Sequence, residues 1–188
     1  MLYFLSFLSD GGDIFNLFRY ITFRAGGAFF TALIIFFTFG KYSINFLKKL
    51  QKEGQPIRED GPEEHIIKKA GTPTMGGVII LLGVTVSTML WARLDNEYVW
   101  IILFVTFSFG LIGLIDDYIK VVKRSNKGLS GRLRLLTGFL IAFFAVYFIQ
   151  IQHLDDLSRS LALPIFKDYL VFLGLFFFPF AMFVIVGS

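Results

Sequence analysis

The stretch Tyr98–Ile115, YVWIILFVTFSFGLIGLI, is followed at once by Asp116-Asp117. Eighteen residues pass without a charge, and then two acids stand side by side. A helix of that length advances about 27 Å, close to the roughly 30 Å hydrocarbon core of a bilayer. It is apolar on every side, so it is no surface helix with one wet face. The stretch predicts a membrane-spanning helix with a charged edge.

Four other stretches read the same way. The five predicted spans are about residues 25–46, with Lys41 near the end, then 75–92, 98–115, 135–152 and 169–188. Composition agrees. Of 188 residues 55% are hydrophobic, 25 are Phe, and only 17% are charged, against roughly 25% in a soluble domain. Mean hydropathy is +0.69. One soluble core of this size could not hide so much apolar surface, and a disordered chain would not contain it. There is no Cys, which excludes disulfides, thiol nucleophiles and cysteine metal sites. The two histidines, His65 and His153, are too few and too distant in sequence for a zinc site. Residues 1–18 are apolar but interrupted by Asp10 and Asp13. They lack a basic leader and a cleavage site, and predict a short helix on the membrane surface.

Charge gives the orientation. Lys41, Lys48, Lys49, Lys52, Arg58, Lys68 and Lys69 follow the first span, and Lys120, Lys123, Arg124, Lys127, Arg132 and Arg134 follow the third. The other side holds only Arg19, Arg24, Arg93, Arg159 and Lys167. Basic loops stay in the cytoplasm. The expectation is therefore an all-α integral membrane protein, a single polytopic domain over residues 1–188. It has five transmembrane helices, the N-terminus outside and the C-terminus at the cytoplasmic face. Its cytoplasmic loops fall at about 47–74 and 116–134, and any chemistry faces the cytoplasm.

The inner loops carry the unusual residues. Asp116 and Asp117 are expected at the C-terminal end of the third span, where the helix dipole disfavours carboxylates. A divalent cation is one compensation. Lys120, at i+4 and i+3 from the two acids, is another if the helix continues. A merely solvated helix end is the plain alternative. Magnesium takes carboxylates together with substrate phosphates, so the functional reading is a metal and phosphate site at the membrane edge. Gly71-Thr72-Pro73-Thr74-Met75-Gly76-Gly77 opens the second span. Thr72 suits a helix cap and Pro73 the first helical position, while Gly76-Gly77 weakens a helix start and leaves room for a close neighbour. Gly71 and Gly76 have P-loop spacing, but Gly77 and Val78 replace the required Lys and Ser/Thr, so this is no Walker motif. His65, Lys68 and Lys69 could share one turn. An ordinary exposed histidine and a lysine anchor against anionic lipid are the plain readings. The segment around Lys127-Gly128-Leu129 reads as a basic anchor. Pro179 falls inside the fifth span as a tolerated kink. Gly110 and Gly113 do not make a GxxxG pair.

Arg58-Glu59-Asp60-Gly61-Pro62, His65, Lys69, the 71–77 string and Asp116-Asp117-Tyr118-Ile119-Lys120, in this order and spacing, resemble the phospho-N-acetylmuramoyl-pentapeptide-transferases. These belong to the wider polyprenyl-phosphate sugar-1-phosphate transferases, which share the acidic pair. The resemblance implies a magnesium-dependent transfer of phospho-N-acetylmuramoyl-pentapeptide from UDP to undecaprenyl phosphate, giving lipid I and UMP for peptidoglycan synthesis at the bacterial inner membrane. It implies that Asp116 deprotonates or orients the lipid phosphate, or else carries a covalent phospho-enzyme. Asp117 would support the metal, and His65, Lys69, Thr74 and Lys120 the phosphates and nucleotide. It implies membrane lipid and a second copy as partners, and no nucleic acid. Members of this family have roughly ten spans and further acidic and histidine motifs, so the chain is expected to be an N-terminal piece, inactive alone, with the main metal ligand elsewhere. A transferase for N-acetylhexosamine-1-phosphate and a non-catalytic membrane module are the rival readings. The second predicts charges inside the spans, and only Lys41 approaches that description.

Overall fold

The computed structural model describes residues 1–10, 12–51, 73–124, 128–152, 159–163 and 166–188. Two short 3-10 helices, Leu2–Leu8 and Ile14–Arg19, precede α1 (Ile21–Leu50). Then come α2 (Gly77–Trp91), α3 (Glu97–Lys123) and α4 (Gly131–Gln152). A hairpin of β1 (Ser160–Leu163) and β2 (Phe166–Phe172), a 3-10 turn over Gly174–Phe176 and α5 (Phe177–Gly187) complete the chain. Two compact units result, Met1–Leu129 and Ser130–Ser188.

In the first unit α2 packs against both α1 and α3. The contacts are made through small residues. Gly83 of α2 lies against the backbone of Ala32, and Gly27 of α1 receives the ring of Trp91. Trp91 donates its indole N–H to Thr31 Oγ1 at 2.9 Å and stacks on Phe18. This cluster fixes the ends of α1 and α2 together. Met1 adds its amine to the carbonyl of Met89 at 2.9 Å. The 92–96 turn is closed by Arg93 and Asp95, 2.7 Å apart. Its hydrogen bond and charge hold the Asp95 carboxyl below the usual carboxylate range. Asn96 caps α3 by accepting from the Tyr98 N–H at 3.0 Å, which satisfies one of the helix's orphan donors.

In the second unit α4 packs on α5, with Phe143 facing Phe178. The strands pair antiparallel, Ser160 opposite Phe172 and Ala162 opposite Leu170, with an irregularity at Ala162/Leu163.

Three helices, Ile21–Leu50, Glu97–Lys123 and Gly131–Ile151, are long and apolar enough to cross a membrane. Their large side chains point outward, with Phe37 73% and Ile102 65% exposed, as lipid-facing residues must be when the apolar solvent is outside. Gly77–Trp91 is shorter. Four expectations change. The all-α reading fails at residues 160–172, where strands stand, so the run at 169–188 is shared between β2 and a helix only eleven residues long. Pro179 is the third residue of α5; its missing N–H has no intrahelical partner to lose there, so it starts a helix rather than kinking one. Residues 1–18 form two 3-10 helices, not one α-helix. Finally, α2 begins at Gly77 with Gly76 as its cap, so Pro73 precedes the helix rather than opening it, and Thr72 lies outside the described residues.

Candidate active site

The third predicted span does not end at Ile115. α3 runs on to Lys123 and stops at Arg124, whose φ of 47° is left-handed. Asp116 and Asp117 are therefore almost two turns inside the helix, away from its negative end. The helix continues through Lys120, so the i+4 and i+3 geometry is realised. Lys120 Nζ lies 2.6 Å from Asp116 Oδ2 and 3.8 Å from Asp117 Oδ1. One ammonium thus bridges two carboxylates, which offsets the repulsion between adjacent negative charges.

The two acids differ in their surroundings. Asp116 is 4% exposed. Its Oδ1 accepts from the backbone N–H of Leu129 at 2.7 Å. That N–H comes from the segment read as a basic anchor. Gly128 passes so close that a Cβ there would overlap Asp116 Oδ1 and crowd Lys120 Cε; glycine is what allows this approach. Asp117 faces the segment before α2. Its Oδ2 accepts the Thr74 hydroxyl at 2.6 Å and the Met75 N–H at 3.3 Å. Its side chain is 32% exposed, so Asp117 is the accessible member of the pair.

The segment reaches Asp117 by an unusual turn. Met75 has φ of 69°, a left-handed conformation that costs a non-glycine residue of order 1 kcal/mol. The strained residue is thus Met75, while nothing lies within 4 Å of where a Cβ would stand on Gly76 or Gly77. Gln51, the C-cap of α1, clamps Thr74 from behind. Its amide accepts from the Thr74 N–H at 2.9 Å and donates to the Thr74 carbonyl at 3.1 Å. Gln51 is 8% exposed, so the clamp is shielded from water.

Of the residues singled out in the sequence, the structure brings Thr74, Asp116, Asp117 and Lys120 into one cluster. His65 and Lys69 lie outside the described residues. Gln51 joins the cluster without having been singled out, and Gly128 and Leu129 join it from a segment read only as a basic anchor. Gln51 gives no sequence signal; Gly128, set in a basic segment beside an acidic pair, gives a faint one. Among the described residues no group of three or more His, Cys, Asp or Glu side chains converges to hold a metal. The remaining donor is Asp117 Oδ1, a hard carboxylate oxygen, and magnesium often takes only one or two protein carboxylates, completing its shell with phosphates and water. The set fits such an ion as a partial ligand group. Chemically, the cluster offers a fixed ammonium, an accessible carboxylate and a hydroxyl at the end of apolar helices.

Residues 69–81 match phospho-N-acetylmuramoyl-pentapeptide-transferase signature 1. Over 188 residues the chain is 61% identical to the phospho-N-acetylmuramoyl-pentapeptide-transferase of Dinoroseobacter shibae. It is 58% identical to the proteins of that name from a Ruegeria species and from Ruegeria pomeroyi. Each alignment takes in 100% of this chain and 52% of the relative. The chain thus spans about half the length of the curated relatives it matches, and the resemblance carried by the 71–77 and 116–120 motifs extends along all of it.

Proposed function

We propose that this chain supplies the acidic-pair half of a phospho-N-acetylmuramoyl-pentapeptide-transferase, which moves phospho-N-acetylmuramoyl-pentapeptide from UDP to undecaprenyl phosphate. A lipid phosphate oxygen forms a bond to the sugar-linked phosphorus of the donor. The pyrophosphate bond breaks, UMP leaves with the electron pair, and lipid I remains. The observation that carries this reading is the Asp116–Lys120–Asp117–Thr74 cluster in a chain similar throughout to transferases of that name.

In this reading Lys120 exchanges a carboxylate for an incoming phosphate, since an ammonium on a flexible stem serves either as a point charge. Asp116 Oδ2, released from Lys120, then orients the lipid phosphate or takes its proton. Asp117 stays anchored through Thr74 and the Met75 N–H and presents Oδ1 to the phosphates. Magnesium, when bound there, would neutralise phosphate charge as it develops on the leaving oxygen. His65 and Lys69 are assigned to nucleotide and phosphate contacts by position in the motif. Catalysis here is mostly positioning and charge compensation, as phosphoryl transfer requires.

The same reading sets the protein in the bacterial inner membrane with the cluster facing the cytoplasm. Lys48, Lys49, Lys120 and Lys123 stand in the last turns of α1 and α3, which supports that orientation. Five crossings, with the N-terminus outside, and a homodimer belong to the proposal.

The test is UMP release by membranes carrying the complete gene product, supplied with UDP-N-acetylmuramoyl-pentapeptide and undecaprenyl phosphate. Asp117→Asn is expected to lower turnover by about 100-fold or more, the scale of losing one electrostatic partner in a shielded site. Equal turnover with UDP-N-acetylglucosamine as donor would shift the assignment to the N-acetylhexosamine class.

A further inference from the structure

A second concave site lies at the other end of the first unit. A cavity of about 330 Å³ is lined by Ile21 and Arg24 of α1, Trp91 at the end of α2, Arg93 in the turn, and Asn96 and Val99 where α3 begins. Asn96 precedes Asp116 by twenty residues, about 30 Å along a helix, which is the thickness of a hydrocarbon core. The cavity thus sits at the opposite membrane boundary from the acidic pair, and the proposed transfer makes no use of it.

Its chemistry is divided. Two guanidinium groups flank the ring of Tyr3, with Cζ of Arg24 4.9 Å and Cζ of Arg93 4.8 Å from its centroid. Arg93 is matched by Asp95 at 2.7 Å. Arg24 has no carboxylate at ion-pair distance among the described residues, and its Nε is buried without a hydrogen-bond partner among them. A buried guanidinium N–H without an acceptor is costly, and Arg24 stands in the first turn of α1, whose dipole adds positive potential. Ile21, Trp91 and Val99 give the wall an apolar stretch, beside the polar Ser87, Thr88 and Asn96. An inorganic anion would answer the guanidinium and leave those walls wet. A lipid with an anionic head answers both.

We propose that this cavity binds the phosphate head of an anionic phospholipid, with Arg24 as the principal contact, Arg93 as the second, and the glycerol and upper acyl chains along Trp91 and Val99. Arg suits this role because its fork matches phosphate oxygens in pairs.

The chain has two tryptophans, and only Trp91 lines the cavity. In a Trp100→Phe chain all tryptophan emission comes from Trp91. That chain is placed in phosphatidylcholine vesicles containing a minor fraction of acyl-brominated phosphatidylglycerol, or the same fraction of acyl-brominated phosphatidylcholine. The expected result is stronger quenching by the phosphatidylglycerol, corresponding to local enrichment of about fivefold per basic contact. Arg24→Gln should bring quenching down to the phosphatidylcholine level, and Arg93→Gln should lower it part of the way. Equal quenching by the two brominated lipids overturns the proposal without recourse to any charge variant. Relief of phosphatidylglycerol quenching by added inorganic phosphate, at matched ionic strength, also overturns it, since that identifies a free-anion site. An unchanged preference in both arginine variants overturns the assigned residues.

Discussion

Asp116 and Asp117 are neighbours in sequence with opposite surroundings. Asp116 is buried, held by an ammonium and a backbone N–H, while Asp117 keeps a part-exposed carboxylate anchored from one side. The anchor is the hydroxyl of Thr74, so the residue can be tested by its oxygen alone. Thr74→Val keeps the shape and removes the donor; Thr74→Ser keeps the donor and removes a methyl group. A hydrogen bond to a charged acceptor contributes roughly 1.5–3 kcal/mol, with the lower part of that range expected at a part-exposed carboxylate. Turnover of the complete transferase is expected to fall about tenfold in the Val variant and to stay near the parent level in the Ser variant, measured by UMP release. A Ser variant as impaired as the Val variant would mean that the methyl packing, rather than the hydroxyl, is what matters.

At the scale of elements, the join between α1 and α2 is a close approach enforced by glycine. A Cβ on Gly27 would stand 2.5–2.6 Å from three ring carbons of Trp91. That ring cannot withdraw, because it is stacked on Phe18, edge-on to Phe23 and tied to Thr31. A Cβ on Gly110 of α3 would also stand 2.5 Å from a carbon, but that carbon is Leu81 Cδ1, the tip of a side chain with other rotamers. Gly27→Ala is therefore expected to destabilise the protein by about 1–3 kcal/mol. Gly110→Ala should be close to neutral, aided by the better helix propensity of alanine. Thermal unfolding in detergent, followed by the loss of helical circular dichroism, distinguishes them; equal midpoints would show that the Trp91 contact is not rigid. The β-hairpin is the element that the hydrophobic pattern did not reveal. A run of apolar residues is compatible with helix or strand, and residues 169–188 are one uncharged apolar run.

For the whole molecule, the question is which ends share a side of the membrane. Absence of cysteine makes this directly measurable, since a single introduced thiol is the only one to label. Lys49→Cys and Lys123→Cys, at the basic ends of α1 and α3, are expected to react with a membrane-impermeant maleimide only in inverted vesicles. Glu97→Cys and Ser160→Cys are expected to react in intact spheroplasts. Labelling of positions 97 and 123 from the same side would remove α3 as a crossing helix and with it the placement of both sites.

The sequence by itself determined the apolar surroundings of this protein, the long apolar helices with their basic ends, and the acidic pair with its lysine. Each rests on composition or on fixed helical spacing, which need no partner to be read. Tertiary structure decided the rest. It carried α3 beyond Ile115, so that the acids sit inside a helix rather than at its end. It put the strain on Met75 instead of the glycines, and it brought Gln51 and Leu129 to the pair across 23 and 13 residues of chain. It also gathered Arg24 of α1 and Arg93 of the 92–96 turn over one tyrosine ring. Those contacts depend on which surfaces meet when helices pack, and the pattern along one chain holds no record of a neighbour supplied by another segment.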